Sequence, residues 1–320
     1  IRGSLLLLLL ILPKEFIFLL LITFTISIVT QAFAPAEQSA IPLVVKTENL
    51  LTANALFTTT QTASIIVGFA IGEPILAAAT NISKDGAQEI FVASLYFAAA
   101  GLGQLIKIEE EINTSKHARK INPWYELKDG FKYLQSNKLL LNAMLQLAVF
   151  SSTIAALPIL AINLTTKVGL EPKQFGFLVA AAGIGLVCGA GFLGHFGSRL
   201  QQKSLPLMGF IGMSLVLAIF AFVHNIWIGL LCGGVLGLGA SLVAVPTQTL
   251  VQEKTPESLR GKVFGFQNNV VNIAVSLPLV IIAPLTDRFG LQPVLWGMSM
   301  IVPIAGILTW RATAQVLEEV

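Results

Sequence analysis

The chain has 320 residues, of which 55% are hydrophobic and only 12% charged, and its net charge is +3. A soluble domain of this size carries roughly 25% charged residues, so this sequence has too little polar surface to cover a globule in water, and the bilayer is the solvent that fits it. So small a positive excess makes no case for a nucleic-acid partner. The two cysteines, Cys188 and Cys232, both lie in apolar stretches and form neither a disulfide framework nor a zinc spacing. His117, His195 and His224 are far apart in sequence, so no helical metal site is expected.

The chain opens on Ile1, and Arg2 with the leucine run at 5–12 resembles a signal-peptide core. Pro13-Lys14-Glu15 is a poor cleavage site and another apolar stretch follows at once, so the segment reads as the remnant of a membrane helix over 3–12. About 20 apolar residues cross a bilayer as a helix. Stretches free of Asp, Glu, Lys and Arg run over 16–36, 49–72, 90–106, 139–166, 174–198, 204–252, 263–286 and 289–310. The stretch 204–252 is too long for one span, and His224-Asn225 divides it into a helical hairpin.

Summed over alternate connections, the basic residues fall mostly on one side. That side holds Arg2, Lys46, the basic residues of 107–138, Arg199, Lys203, Lys254, Arg260, Lys262 and Arg311; the other holds only Lys14, Lys84, Lys167, Lys173 and Arg288. The bias places the loop 107–138 and the C-terminus in the cytoplasm.

An internal repeat links the two halves. Pro35-Ala-Glu-Gln38 closes one span before Lys46-Thr-Glu-Asn-Leu50 opens the next; Pro246-Thr-Gln248 closes a later span before Lys254-Thr-Pro-Glu-Ser-Leu259. Similar halves joined by a long cytoplasmic loop are an arrangement used by twin-bundle secondary transporters. Six spans follow the loop and three with a remnant precede it, so equal halves require two and a half further helices upstream of Ile1.

At these residues the chain resembles the major facilitator superfamily, and within it the bacterial branch of enterobactin exporters and related efflux proteins. The stretches that carry the resemblance are Phe33-Ala-Pro-Ala-Glu-Gln-Ser-Ala-Ile-Pro42, Leu51-Thr-Ala-Asn-Ala-Leu56, Glu126-Leu-Lys-Asp-Gly130 and Arg260-Gly-Lys-Val-Phe-Gly265. The resemblance implies an all-α, polytopic membrane helical bundle of the major facilitator fold. Residues 1–106 would hold the end of helix 3 to helix 6, 107–138 the cytoplasmic central loop, and 139–320 helices 7–12. Two departures stand out. The family's basic loop between helices two and three lies upstream of this sequence. Its echo, Gly191-Phe-Leu-Gly194-His195-Phe-Gly197-Ser-Arg199, lacks the usual acidic residue.

Glu73, in Gly68-Phe-Ala-Ile-Gly72-Glu73-Pro74, resembles a degenerate form of the family's antiporter signature and is the candidate for proton coupling. A carboxyl inside a membrane is costly and can trade a proton near neutral pH; the competing reading is a solvated residue at the end of its helix. Gly68, Gly72, Pro74, Arg260 and Gly261 are the expected packing and gating positions. Polar stripes at helical spacing point to a central cavity. They comprise Thr23, Ser27, Thr30 and Gln31; Asn54, Thr58 and Gln61; Asn142, Gln146 and Thr153; and Asn268, Asn272 and Ser276. Gln31, Gln61, Asn142, Gln146, Asn268 and Asn272 are the substrate-cavity candidates, with interhelical hydrogen bonding the alternative for each. Gly185-x-x-x-Gly189 and Gly233-x-x-x-Gly237 fit close helix packing.

The expectation is a secondary transporter of a bacterial plasma membrane, exporting a small amphipathic molecule (siderophore or drug-like) in exchange for protons. No catalytic residue, metal or cofactor is expected, and the partners are the lipid bilayer, a small-molecule substrate and protons, with the chain a monomer. Translocation of a lysophospholipid, or a fragment that does not transport, are the alternatives; a membrane enzyme finds no catalytic set in the spans.

Overall fold

The computed structural model describes residues 1–13, 15–82, 86–105, 135–165, 167–168, 175–197, 200 and 204–318. Among them are ten α-helices and no strand. They are α1 Arg2–Leu8, α2 Phe16–Val44, α3 Leu50–Ile82, α4 Ala87–Gln104, α5 Lys138–Thr165, α6 Gly176–Phe196, α7 Leu205–Phe220, α8 Ile226–Lys254, α9 Arg260–Phe289 and α10 Leu291–Glu318. Every apolar stretch read from the sequence becomes a helix. Among the described residues α2, α5, α6, α8, α9 and the segment Leu291–Thr313 of α10 are long and apolar enough to cross a membrane, while α7 is a shorter apolar helix. Most of the central loop expected over 107–138 lies outside the described residues.

The two prolines expected to close helices do not. α2 runs through Pro35 and Pro42 to Val44, and α8 runs through Pro246 to Lys254. A proline removes one backbone hydrogen bond, but a broken helix inside a membrane leaves several polar groups without water, so continuing costs less. Beside each proline a hydroxyl bonds back one turn, Ser39 donating to the Pro35 carbonyl at 2.6 Å and Thr249 to the Val245 carbonyl at 2.9 Å.

The second element of the repeat folds as the sequence suggests. Lys46 and Pro256 are both extended, and each leads into one 3-10 turn, Thr47–Asn49 or Glu257–Leu259, from which a long helix starts directly. Each turn closes on the same bond, Asn49 N–H to the Lys46 carbonyl and Leu259 N–H to the Pro256 carbonyl, both 2.9 Å. The break at His224-Asn225 also has a local cause. Asn225 caps α8 by accepting from the Trp227 N–H at 2.8 Å. Gly290, at φ 82°, turns α9 into α10, where its N–H still reaches the Thr286 carbonyl at 2.9 Å.

The chain divides into two compact units, Ile1–Val44 with Ile65–His117, and Val45–Ser64 with Ala118–Val320. The first half of α3 therefore groups with the C-terminal helices rather than with the helices before the loop. In the first unit α1 packs on α4 and α2. A side chain at Gly3 would come within 3.1 Å of the Ala93 carbonyl, and the Arg2 guanidinium lies 4.4 Å from the Phe33 ring centre and 5.3 Å from that of Tyr96.

In the second unit α8 is the central helix, in contact with α5, α6 and α7, and α5 also packs on α9 and α10. Leu236, Ala240 and Val243 are fully buried while Trp227, Leu231, Val235 and Leu238 stay exposed, so a helix that is apolar all round serves both a packed face and an outward one. The two small-residue pairs set the α6–α8 distance as expected. A Cβ on Gly185 would collide with the Gly234 carbonyl, one on Gly237 with the Ala182 carbonyl, and one on Gly189 with the Ser241 hydroxyl. Gly209 also brings α7 close to α8, since a Cβ there would lie 2.5 Å from the Gly239 carbonyl. Backbone-to-backbone approach of this kind lets dispersion hold helices together where lipid supplies no hydrophobic drive.

Candidate functional site

Below Pro246 the apolar α8 turns polar, in the run Thr247-Gln248-Thr249 and then Gln252. Successive residues on a helix point in different directions, about 3.6 to a turn, so Thr247, Gln248 and the pair Thr249 and Gln252, one turn apart, reach three different neighbours. Thr247 donates through Oγ1 to Gln146 Oε1 on α5 at 3.2 Å, and Gln146 Nε2 donates to Thr313 Oγ1 on α10 at 3.1 Å. Gln248 Oε1 accepts from Gln267 Nε2 on α9 at 2.6 Å. Gln252 Oε1 and Thr249 Oγ1 both accept from Asn54 Nδ2 on α3, at 2.6 and 3.1 Å. The last two turns of α8 thus tie together α3, α5, α9 and α10.

These side chains are out of contact with the surroundings: Asn54 is 1% exposed, Gln146 2%, Gln252 0% and Gln267 3%. A buried amide without partners is costly, and most of this set is paired. Three atoms are not: Asn54 Oδ1, Gln248 Nε2 and Gln267 Oε1 are buried without a hydrogen-bond partner. The Nε of Arg260, at the start of α9, is in the same position.

Along α5, α9 and α10 the hub gives way to an apolar groove of about 510 Å³, lined among others by Ala148, Ser152, Leu277, Ile281, Met298 and Ile301. Its hydroxyls are spent on backbone carbonyls. Ser152 donates to Ala274 at 2.7 Å, which joins α5 to α9, and Thr153 to Val149 at 2.8 Å. The second unit therefore presents amides beside a groove that offers almost nothing but hydrocarbon.

The residues singled out in the sequence fall into several environments. Gln146 is in the hub. Asn142 is half-buried one turn before it on α5; Asn268 is half-buried next to Gln267, and Asn272 is exposed on α9. Gln61 is exposed in the part of α3 that belongs to the second unit, and Gln31 is exposed on α2 in the first. Gly68 and Gly261 have no described atom within 4 Å of where a Cβ would be. Glu73, Gly72 and Pro74 lie in α3, but their side-chain surroundings are outside the described residues.

Several hydroxyl members of the polar stripes bond back to their own helices. Ser27 donates to Thr23, Thr30 to Ile26 and Ser276 to Asn272, all at 2.8 to 2.9 Å. Of the stripe residues, Asn54 and Gln146 carry hydrogen bonds that cross between helices. Thr249, Gln252, Gln267 and Thr313 were not singled out from the sequence. The legible signal for the first two is four polar residues within six positions after Pro246, inside an otherwise apolar span. Gln267 and Thr313 carry no such signal.

Residues 2–277 and 143–317 match the family model described as Major Facilitator Superfamily. Macrolide efflux protein A of Streptococcus pyogenes is 22% identical over 282 residues, which cover 85% of this chain and 67% of that protein. Enterobactin exporter EntS of Citrobacter koseri is 25% identical over 249 residues, 76% of this chain and 56% of the exporter. The chain thus spans only part of these relatives. Among solved structures, a bacterial homologue of the iron transporter ferroportin, in an outward-facing state, superposes with a TM-score of 0.63 at 18% identity. The match covers 94% of this chain and 72% of that one.

Proposed function

The chain belongs to the Major Facilitator Superfamily, and on that premise we propose that it exports a small amphipathic molecule, siderophore-like or drug-like, by proton-coupled alternating access. The observation that carries this reading is the pairing of uncharged amides with an adjoining apolar groove on α5, α9 and α10. Amides can exchange their internal hydrogen bonds for bonds to a polar head, and the groove offers burial to a lipophilic body. The described hub side chains, Asn54, Gln146, Thr247, Gln248, Thr249, Gln252, Gln267 and Thr313, are uncharged amides and hydroxyls, a set suited to a neutral polar head.

The names of the two relatives, a macrolide efflux protein and an enterobactin exporter, are consistent with cargo of this kind. Glu73 is the proposed proton carrier, and the membrane is the bacterial inner membrane with the basic-rich ends on the cytoplasmic side. A second reading, translocation of a lysophospholipid, is favoured by the groove alone.

The test is export from cells that express the protein from its complete gene. Accumulation of ethidium, a macrolide and a catecholate siderophore is compared with cells lacking the gene, with and without a protonophore. Lower accumulation that the protonophore abolishes supports the proposal. Equal accumulation of all three, with fluorescent lysophospholipid crossing the membrane faster, supports the second reading instead.

A further inference from the structure

We propose that the Gln248–Gln267 pair is the head-group end of the cargo site, and that the cargo is a lipophilic molecule whose neutral head both donates and accepts a hydrogen bond, a hydroxyl being the simplest such group. The proposal rests on the reading of the protein as an exporter of small amphipathic molecules, and it says which of them the site selects.

The pair is an amide contact left half made. Gln267 Nε2 donates to Gln248 Oε1 at 2.6 Å, while Gln248 Nε2 and Gln267 Oε1 are buried without a partner. Two carboxamides side by side have the groups to close two bonds, and a buried donor and a buried acceptor left unpaired are both costly. Both open atoms belong to amides already held in one bond, so they stay within an amide's width of it. Turning both amides over would exchange the roles of the two glutamines and still leave one donor and one acceptor. The third open amide atom of the hub, Asn54 Oδ1, can only accept.

The setting makes this offer selective. Gln248 stands one turn before Val251 on α8, and Gln267 one turn after Phe264 on α9; Val251 and Phe264 pack with Leu140, Met144 and Leu147 of α5 in one apolar cluster. A head that satisfies only one of the two open atoms leaves the other stranded in hydrocarbon. Carboxylate and ether oxygens only accept and an ammonium only donates, whereas a hydroxyl does both.

The pair also lines up with the groove. Gln267, Val270, Ala274, Leu277 and Ile281 recur at steps of three and four, so they share one face of α9, and the last four line the groove of about 510 Å³. The groove's own hydroxyls, on Ser152 and Thr153, already donate to backbone carbonyls. A molecule laid along this face has hydrocarbon against its body and Gln267 one turn beyond.

The test measures binding to the full-length protein in lipid nanodiscs by equilibrium dialysis of tritiated 2-naphthol and of its methyl ether, which keeps the ring and removes the donor. Empty nanodiscs are subtracted, and the comparison is between proteins, so partition into lipid cancels. The parent is expected to bind 2-naphthol about tenfold more tightly than the ether. Q248L/Q267L, which strips both amides, is expected to bind the two probes alike. If that variant does not fold, Gln248→Asn draws one amide back by a methylene and is expected to weaken the preference. Equal affinities in the parent, no saturable binding of either probe, or a preference unchanged in the variant overturns the proposal. A pair that only joins α8 to α9, or that only holds a water molecule, gives one of these three results. Dialysis requires no transport. A hydroxyl preference in a protein that exports nothing from cells would overturn the export reading and leave the subsite, and export without the preference would do the reverse.

Discussion

Gln267 on α9 donates to Gln248 on α8 through an amide-to-amide hydrogen bond of 2.6 Å, and each glutamine keeps one buried polar atom that bonds to nothing else. Removing one partner strands the other, at roughly 1–3 kcal/mol, whereas removing both leaves only apolar contact. Gln267→Leu alone is therefore expected to lower the melting temperature of the detergent-purified protein, and Q248L/Q267L to recover most of the loss. A double variant as unstable as the sum of the singles would mean that the two amides are not coupled.

The glycines divide into those that set helix distances and those that do not. Gly237→Ala places a methyl group against the Ala182 carbonyl and 2.8 Å from the Leu186 nitrogen, and both are backbone that can shift only as a helix. Overpacking of this kind costs about 1–3 kcal/mol, so a strong fall in folded yield is expected. Gly68→Ala and Gly261→Ala enter open space and gain helix propensity, up to ~1 kcal/mol each. Thermal melts of the three variants check the contrast. Stability loss in G261A would show that its position serves contacts beyond those described.

What the sequence disclosed and what it hid follow from the range of the forces involved. Span positions depend on local composition, and the helices formed where charge-free stretches predicted them. The 224–225 break depends on one capping side chain, Asn225, which local reading can find. The close pairs at Gly185 and Gly237 show as a spacing. Helix ends were misjudged at Pro35 and Pro246 because the soluble-protein habit of stopping at proline ignores how dear a broken helix is in lipid. The site was legible only in part. Helical spacing shows which polar residues share a face, so Asn54 and Gln146 could be found. It does not show that Ser27 or Ser276 bonds back to its own helix, nor that Thr313 meets Gln146 from another part of the chain.

Glu73 is the acidic residue on which the proposed proton coupling rests. Glu73→Gln keeps size and polarity and removes the titrating proton. The expected outcome is loss of gradient-driven efflux with unchanged membrane expression and retained substrate binding, measured by ethidium efflux after energisation and by immunoblot. Efflux at the parental rate would remove Glu73 from the mechanism while leaving the cavity residues in play.

Asn142 and Gln146 sit one helical turn apart on α5 and should respond oppositely to substitution. Gln146 is buried between Thr247 and Thr313, and Thr313 keeps its own bond to the Thr309 carbonyl at 2.8 Å if the amide is lost. Thr247 loses the acceptor on Gln146, so Gln146→Leu should cost about 1–3 kcal/mol for a stranded donor. The melting temperature falls accordingly, by a smaller amount per kcal/mol than in a small domain because the shift shrinks as chain length grows. Asn142 is only half-buried. If it contacts cargo, Asn142→Ala leaves melting almost unchanged and instead raises the KM for export, with the maximal rate less affected. The two measurements on the two variants separate a hydrogen bond that builds the bundle from one that recognises what passes through it. A Gln146→Leu protein that melts like the parent yet exports with a raised KM would reverse the assignment and put Gln146 in contact with the cargo.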